Sequence, residues 1–214
     1  GALEAQLAAV HAGEVDVLVG TQMVAKGHDL RRMTLVAAVN PDGALFASDF
    51  RAPERLFSLL MQAAGRAGRD AAQAAAGEMW IQTWHPTHPL YQALGRHDFA
   101  AFAADQLDER RAVGLPPFSF LALLRAEARD AAVAQAFLED AAAVPAPEGL
   151  SCYAPVPPPV AKVANVERMQ LLVESRSRPL LQQWLAAWVP ELHALKRRHK
   201  RLLRWAVDVD PLGF

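Results

Sequence analysis

Apolar residues along this chain fall into two patterns, short continuous runs and helical spacings. The continuous runs predict three buried strands, at residues 16–20, 34–39 and 78–83. The helical spacings predict helices over residues 3–12 and 52–66, the second with apolar side chains at i, i+3, i+4 and i+7 from Leu56. Strands that alternate with helices indicate an α/β fold with a parallel sheet. Three strands make a small sheet, and we therefore expect the C-terminal part of a larger lobe from a longer protein.

The second half of the chain has a different order of predicted helices and strands. After predicted helices at 87–95 and 98–113, the order is strand, helix, strand, helix, strand, at 118–127, 130–143, 168–174, 179–200 and 202–208. Such a segment forms a small α+β domain most simply by laying both helices on one face of its sheet, in two layers. We therefore predict a lobe over 1–96, a linking helix over 97–115 and a C-terminal α+β domain over 116–214.

Composition excludes several classes of protein. The 214 residues are 52% hydrophobic and 21% charged, which is an ordinary globular balance. No apolar run approaches the ~20 residues that a membrane span needs, so no membrane partner is expected. Cys152 is the only cysteine, which leaves no internal disulfide and no cysteine-based zinc site. A reducing cytoplasm suits this composition.

Net charge gives no global argument for nucleic-acid binding, because it is −1. Its distribution is more informative. Residues 1–115 carry 10 basic and 13 acidic side chains, whereas residues 116–214 carry 12 and 10. Much of the positive charge of residues 116–214 lies in the run at 196–201, with Arg204 beyond it. These cations are suited to DNA phosphates, or to the negative end of a helix dipole, and the sequence leaves both open.

Two arginines stand out in the segment QAAGRAGR at residues 62–69. Arg66 and Arg69 are three residues apart, so on a helix they lie on one face. Their planar guanidinium groups fit phosphate oxygens, and such a pair can neutralise the charge that develops on a γ-phosphate during hydrolysis. A solvated, arginine-rich helix end explains the same residues equally well.

A second motif lies upstream, where the apolar run at 17–19 leads into GTQMVAKGHD at residues 20–29. The carboxyl end of such a strand is a typical place for ligand-binding groups in an α/β sheet. This segment resembles motif V, and QAAGRAGR resembles motif VI, of superfamily 2 helicases. The intervening PDGALFASDFRAPER at 41–55 is similar to one family among them, the PriA replication-restart helicases. The resemblance also includes Leu115-Pro116-Pro117-Phe118 and the terminal Asp208–Pro211.

The resemblance implies that the first lobe is RecA-like and that its motifs contact ATP and DNA. Arg69 is expected to reach the γ-phosphate, with Arg66 as its partner. The remaining expected ATP contacts are Gln62, Gly27 and Asp29, and the expected DNA contacts in the lobe are Thr21, Lys26 and Arg51. Asp29 is equally suited to cap a turn or a helix.

Arg51 also has a structural interpretation. In Asp49-Phe50-Arg51 an aromatic ring beside a cation suits an unpaired base, but the pattern favours Phe50 in the core and Arg51 paired with Glu54 at i, i+3. His85 and His88 are also three residues apart, but no third ligand is evident, so no metal site is predicted.

The basic run in the C-terminal half still has two interpretations, binding to DNA phosphates or stabilisation of a helix end. If it binds DNA, the expected contacts are Lys196, Arg197, Arg198, Lys200 and Arg201. Trp184 and Trp188 lie at i, i+4, which favours a place in the core over a stacking platform. Around Arg168 the family usually has flanking aromatic residues, and Glu167 and Met169 in this chain argue against base stacking there.

The chain contains neither a GxxxxGK[ST] phosphate loop nor a DEAH-type acidic box. By resemblance, ATP and Mg²⁺ belong to the full-length parent, as does a zinc module, and this chain alone is expected not to hydrolyse ATP. The parent is expected to be a bacterial, nucleoid-associated 3′-to-5′ DNA helicase that restarts replication at stalled forks. Its expected partners are forked or single-stranded DNA, primosome proteins and single-stranded-DNA-binding protein. The alternative is a non-catalytic module that binds DNA and partners, with idle motor motifs.

Overall fold

The computed structural model describes residues 8–10, 12–20, 33–67 and 77–213. It divides the chain into two compact units, Gly1–Asp105 and Gln106–Phe214. The division falls within the segment that the sequence predicts as a linking helix. Both units combine helices with sheets, as expected of a mixed α/β protein.

The first unit contains a short parallel sheet. Its strands are β1 (Leu35–Val39) and β2 (Glu78–Gln82), which pair in parallel from Leu35 opposite Glu78 to Val39 opposite Gln82. The helices are α1 (Asp42–Leu45), α2 (Ala52–Ala64), α3 (Pro89–Gly95) and α4 (Phe99–Val113), the last of which crosses into the second unit. The predicted parallel pairing of these two strands is confirmed.

The core of the first unit contains two of the four α2 residues in the predicted apolar spacing, Leu56 and Leu60, together with Phe57; Leu59 and Ala63 are only half-buried. Leu56, Phe57 and Leu60 are at most 3% exposed, and the Phe57 ring stacks on Phe102 at 4.2 Å between centroids. Helix α3 adds Leu90, also buried. These contacts hold α2, α3 and the start of α4 together, with one face of the small sheet against them.

The predicted strand at 16–20 is wrong. Residues 16–20 have no regular secondary structure, and Val17 and Val19 are 77% and 89% exposed. A strand needs backbone partners as well as apolar side chains, and the sequence pattern reports only the side chains. The predicted helix at 3–12 lies largely outside the described residues, of which 8–10 and 12 are helical.

The second unit is a two-layer α+β domain, as predicted. Its elements are β3 (Phe120–Ala128), α5 (Ala131–Ala142), β4 (Leu150–Cys152), β5 (Lys162–Val163), β6 (Val166–Ser175), α6 (Arg178–Arg198) and β7 (Leu202–Val209). The sheet is antiparallel in the order β4-β6-β3-β7, and β5 pairs with β6. Alternation along β3 explains which side chains face the helices: Ala122, Leu124 and Ala126 are fully buried against them. Arg125 is exposed on the opposite face, where Leu121 and Leu123 are buried as well.

Two tryptophans of α6 complete this core, as predicted. Trp188 is 1% exposed, stacks on Trp184 at 4.5 Å, and donates its indole N–H to the carbonyl of Ala141 in α5 at 3.0 Å. Trp184 donates to the carbonyl of Pro145 at 3.1 Å. Buried indole groups need such acceptors, and these two bonds fix α6 against α5.

Replacing the central tryptophan should destabilise the second unit strongly. We expect Trp188→Ala to lower its free energy of unfolding by about 3–5 kcal/mol, because a large cavity forms and the carbonyl of Ala141 loses one of its donors. Hydrogen exchange of the β3 amides measures this unit separately from the first. Leu203→Ala is the control, since Leu203 is 49% exposed; equal losses in the two variants would contradict this account of the core.

Candidate functional site

The end of α2 leads through the described part of the arginine motif, which includes two of its three candidate site residues, Gln62 and Arg66. Gln62 is exposed in the last turn, and Arg66 is half-buried just beyond the end of the helix. The chain continues the helical path briefly, because the Arg66 amide donates to Ala63 at 3.0 Å and that of Ala67 donates to Ala64 at 3.2 Å. Arg69 lies outside the described residues, so its position relative to Arg66 stays a prediction.

The other motif residues of the lobe also lie outside the described part of the chain. They are Thr21, Lys26, Gly27 and Asp29. Their expected roles in binding DNA and nucleotide therefore stay predictions.

Arg51 is held by carboxylates at the start of α2. Its guanidinium donates to both oxygens of Glu54, at 3.1 and 3.3 Å, and its amide donates to Asp49 at 2.8 Å. The hydrogen bonds to Glu54 raise the pKa of Arg51. The Arg51–Glu54 pair of the structural interpretation is therefore present, and a contact between Arg51 and DNA stays a prediction.

The carboxylate of Asp42 joins the ends of both parallel strands. Asp42 is 7% exposed, and its Oδ1 accepts from the hydroxyls of Thr83 at 2.5 Å and Tyr91 at 3.0 Å. Its Oδ2 accepts from the amide of Trp84 at 2.9 Å. Three segments thus converge on one side chain: α1 after β1, the loop after β2, and α3.

These bonds favour the ionised carboxylate. The hydroxyl of Thr83 and the amide of Trp84 lower the pKa of Asp42, while burial raises that of Tyr91 to about 12. Sequence reasoning missed this network because its partners lie 41 to 49 residues away along the chain. The signal in the sequence was an acidic residue three positions after the predicted strand at 34–39.

The pKa of Asp42 gives the first unit a defined pH dependence. A lowered pKa means that ionised Asp42 stabilises the folded state above its ordinary value of 3.8, and that this contribution is lost as the pH falls through the lowered value. We expect Asp42→Asn to destabilise the unit at pH 7 and the gap from wild type to shrink below pH 4. Thermal unfolding followed by the NMR signals of Tyr91 measures it, with Asp105→Asn as an exposed control. A gap that is constant with pH would contradict this assignment.

The basic run at the end of α6 is exposed in most of its members. Arg197, Arg198, Lys200 and Arg201 are exposed, whereas Lys196 donates to the carbonyl of Leu202 at 2.6 Å. Three of the cations, Arg198, Lys200 and Arg201, line a shallow groove beside the start of α5. His199 and Asp130 also line this groove, and the carboxylate of Asp130 lies 3.8 Å from the guanidinium of Arg201. The run thus concentrates positive charge on one part of the surface.

The open face of the large sheet, by contrast, pairs its cations with carboxylates. Arg204 binds Glu127 through two bonds of 2.6 and 2.9 Å, and Arg168 lies 3.3 Å from the same carboxylate. Arg125 pairs with Asp208 at 2.8 Å. The hydrogen bond from Arg204 lowers the pKa of Glu127. Sequence reasoning grouped Arg204 with the basic run, but its charge is directed to Glu127.

Metal binding and membrane insertion can be addressed for the described residues alone. Within them, no group of three or more His, Cys, Asp or Glu side chains is arranged to hold a metal ion. Nor does that part of the chain contain a helix with the length and apolar character to cross a bilayer.

Burial raises the pKa of the Cys152 thiol.

Comparison with known proteins identifies the second unit and relates the whole chain to one family. Residues 111–212 match the family model described as the primosomal protein N C-terminal domain. Over 99% of its length, the chain is 42% identical to the replication restart protein PriA of Haemophilus influenzae. The chain belongs to the PriA family. PriA of Synechocystis is 34% identical over the whole chain, and that of Bacillus subtilis 30% over 99% of it.

The chain covers only part of these proteins. It spans 28%, 25% and 26% of the PriA proteins of H. influenzae, Synechocystis and B. subtilis. The PriA C-terminal domain match covers the end of α4 and the two-layer domain up to Leu212. The unit that contains the Asp42 network and the arginine motif lies before it.

Proposed function

We propose that this chain is part of a DNA helicase that restarts replication at stalled forks by primosome assembly. The similarity to replication restart proteins named PriA over nearly the entire chain is the observation that carries the proposal. In the full-length protein the first unit forms part of a RecA-like lobe, and translocation runs 3′ to 5′, driven by ATP hydrolysis. Forked or single-stranded DNA, primosome proteins and single-stranded-DNA-binding protein are its partners, in the bacterial cytoplasm.

Within this proposal the arginines after α2 act on ATP bound to another lobe. The exposed end of α2 presents Gln62 and leads directly to Arg66, and guanidinium groups at this place suit the γ-phosphate. Arg69 completes the pair, and Gly27 and Asp29 add contacts to the nucleotide. The described residues offer no cluster of carboxylates for Mg²⁺, and the metal and the zinc module are assigned to the rest of the protein.

The arginine assignment has a direct test in the full-length protein. Arg69→Ala should reduce DNA-stimulated ATP hydrolysis by about 10³-fold or more, since it removes charge stabilisation at the transferred phosphate. Affinity for DNA should stay within about twofold, because the arginine does not contact DNA. Arg96→Ala removes another exposed arginine of the same unit and should leave turnover unchanged. Unchanged turnover in Arg69→Ala would refute the assignment.

The second unit is proposed to bind DNA phosphates through the exposed cations at the end of α6. The ammonium group of Lys196 donates to the carbonyl of Leu202 and so fixes the end of α6 that carries these cations. Thr21, Lys26 and Arg51 are proposed to add DNA contacts from the lobe. Counterions are released when such cations meet phosphates, so affinity depends steeply on salt.

Neutralising four of these cations tests the surface. Changing Arg197, Arg198, Lys200 and Arg201 together to Gln should weaken forked-DNA binding. It should also make log K against log salt less steep, by about 0.9 for each duplex phosphate that the variant no longer neutralises. Arg125→Gln is the control, because Arg125 already pairs with Asp208. An unchanged slope in the fourfold variant would reject these residues as the groups that bind phosphate.

A non-catalytic DNA- and partner-binding module is the second candidate. It is favoured by one observation, that the domain family match falls on residues 111–212 and not on the motif-bearing unit. The full-length protein distinguishes the two: DNA-stimulated ATP hydrolysis supports the helicase, and DNA binding without it supports the module.

A further inference from the structure

The strand β7 forms one edge of the large sheet in the second unit. Among the described strands, β7 is last in the order β4-β6-β3-β7 and pairs with β3. The amide of Asp210, directly after β7, donates to the carbonyl of Leu121 at 2.9 Å. Because hydrogen-bonding directions alternate along an antiparallel strand, the backbone groups of Trp205, Val207 and Val209 point away from β3. They face the side on which a further strand can be added.

The two edges of this sheet are built differently. The opposite edge is made by β4 and β5, which are three and two residues long, and the chain between them contains prolines at 155, 157, 158 and 159. Short strands and prolines hinder pairing with another strand. In contrast, β7 is eight residues long and contains neither proline nor lysine. Its pairing with β3 is irregular at its start alone, opposite Glu127 and Ala128.

The sequence of β7 is complementary to itself when two copies run antiparallel. On either side of Ala206, Arg204 matches Asp208 and Trp205 matches Val207. Pairing of two copies with Ala206 on a two-fold axis therefore places opposite charges across from one another twice. Trp205 of one copy and Val207 of the other form the hydrogen-bonded pairs, because their backbone groups face the edge.

Other registers lose this match. When one strand slides by two residues in one direction, Arg204 lies opposite Ala206. When it slides in the other direction, Arg204 lies opposite Asp210, whose carboxylate already accepts from Arg178 at 2.9 and 3.3 Å. A slip of one residue turns the side chains to opposite faces of the joined sheet.

Both charged side chains retain hydrogen-bonding capacity for a second copy. Arg204 donates to Glu127 through Nε and Nη2, and a guanidinium has five N–H donors. The Arg204 side chain is 71% exposed and that of Asp208 is 39% exposed, although Asp208 also accepts from Arg125 at 2.8 Å. Signs of charge then alternate across the joined sheet, from Arg168 through Glu127 and Arg204 to Asp208 of the second copy.

From this arrangement we infer that two copies of this chain pair antiparallel through their β7 edges, about a two-fold axis at Ala206. The two sheets become one continuous antiparallel sheet. One strand edge makes a small interface, so the association is weak and depends on protein concentration. The basic run at the end of α6 takes no part in it, and the inference does not depend on the proposed DNA function.

The two-fold symmetry provides the test, in the full-length protein. Arg204→Asp places carboxylates opposite one another at both charge pairs, and Asp208→Arg places guanidinium groups there. Each variant alone should self-associate at least about tenfold more weakly than wild type, because like charges across a strand pair repel. An equimolar mixture of the two should recover the association, since every carboxylate then faces a guanidinium. Sedimentation velocity over a range of protein concentrations measures it.

Lys162→Asp is the matched control for charge reversal. Lys162 also pairs with a carboxylate, Glu167 at 2.7 Å, but it lies on β5 at the opposite edge. This variant should associate like wild type.

Val207→Pro tests the backbone pairing by a separate route. It removes an amide that points away from β3, so the ladder between β3 and β7 remains while association should be lost. Hydrogen exchange of the β3 amides should show the same protection as in wild type.

Several outcomes would overturn the inference. They are a wild-type protein that stays monomeric at every concentration, a mixture that associates no more tightly than the separate variants, and equal losses in the Lys162 and Arg204 variants. If the full-length protein is monomeric while the 214-residue chain dimerises, another part of the full-length protein covers the edge, and self-pairing is rejected. DNA binding is measured separately, so none of these results bears on the proposed function.

Discussion

The first unit depends on one buried carboxylate. Within the described residues its parallel sheet has two strands and therefore few ladder bonds of its own, and the strands are joined by a long connection that includes α2. Asp42 compensates by accepting three bonds at the carboxyl ends of β1 and β2, from two hydroxyls and an amide. A charged acceptor suits this place because every donor is supplied by the fold, so burial of the charge does not leave it unsatisfied. The position of the loop after β2 therefore follows from the same bonds that close the sheet.

The second unit is organised by a different constraint, the alternation of side chains across its sheet. One face is apolar and is covered by α5 and α6. The other buries Leu121 and Leu123 and also carries charges that largely neutralise one another, as in the Arg204–Glu127 pair. Cations paired with carboxylates in this way contribute little net attraction for a polyanion. The exposed positive charge of the second unit is therefore concentrated in the run at 196–201, which begins in the last turn of α6, although net charge over the whole chain is −1.

Sequence periodicity predicted what local spacing controls and missed what distant contacts control. The helical spacing of Leu56 and Leu60 and the i, i+4 pair of Trp184 and Trp188 place side chains in the core whatever their partners are, and both predictions are confirmed. The run at 16–20 shows the opposite case, because an apolar strand pattern says nothing about the backbone that must pair with it. Strands β4 and β5 were missed for a related reason: they are only three and two residues long, and partners on β6 define them.

In the candidate site, too, the residues that local spacing identifies were predicted from the sequence, and those that depend on distant contacts were not. Motif residues such as Gln62 and Arg66 are recognisable because their function requires a fixed residue type at a fixed spacing. The Asp42 network is not recognisable in this way, since its donors lie 41 to 49 positions away in sequence. Residue type alone likewise does not separate a buried aromatic from an exposed one. Only the folded loop shows that Trp84 is exposed while Trp188 is buried. Residue type and local spacing therefore do not decide whether an aromatic side chain is buried or exposed; the long-range contacts of the fold decide it.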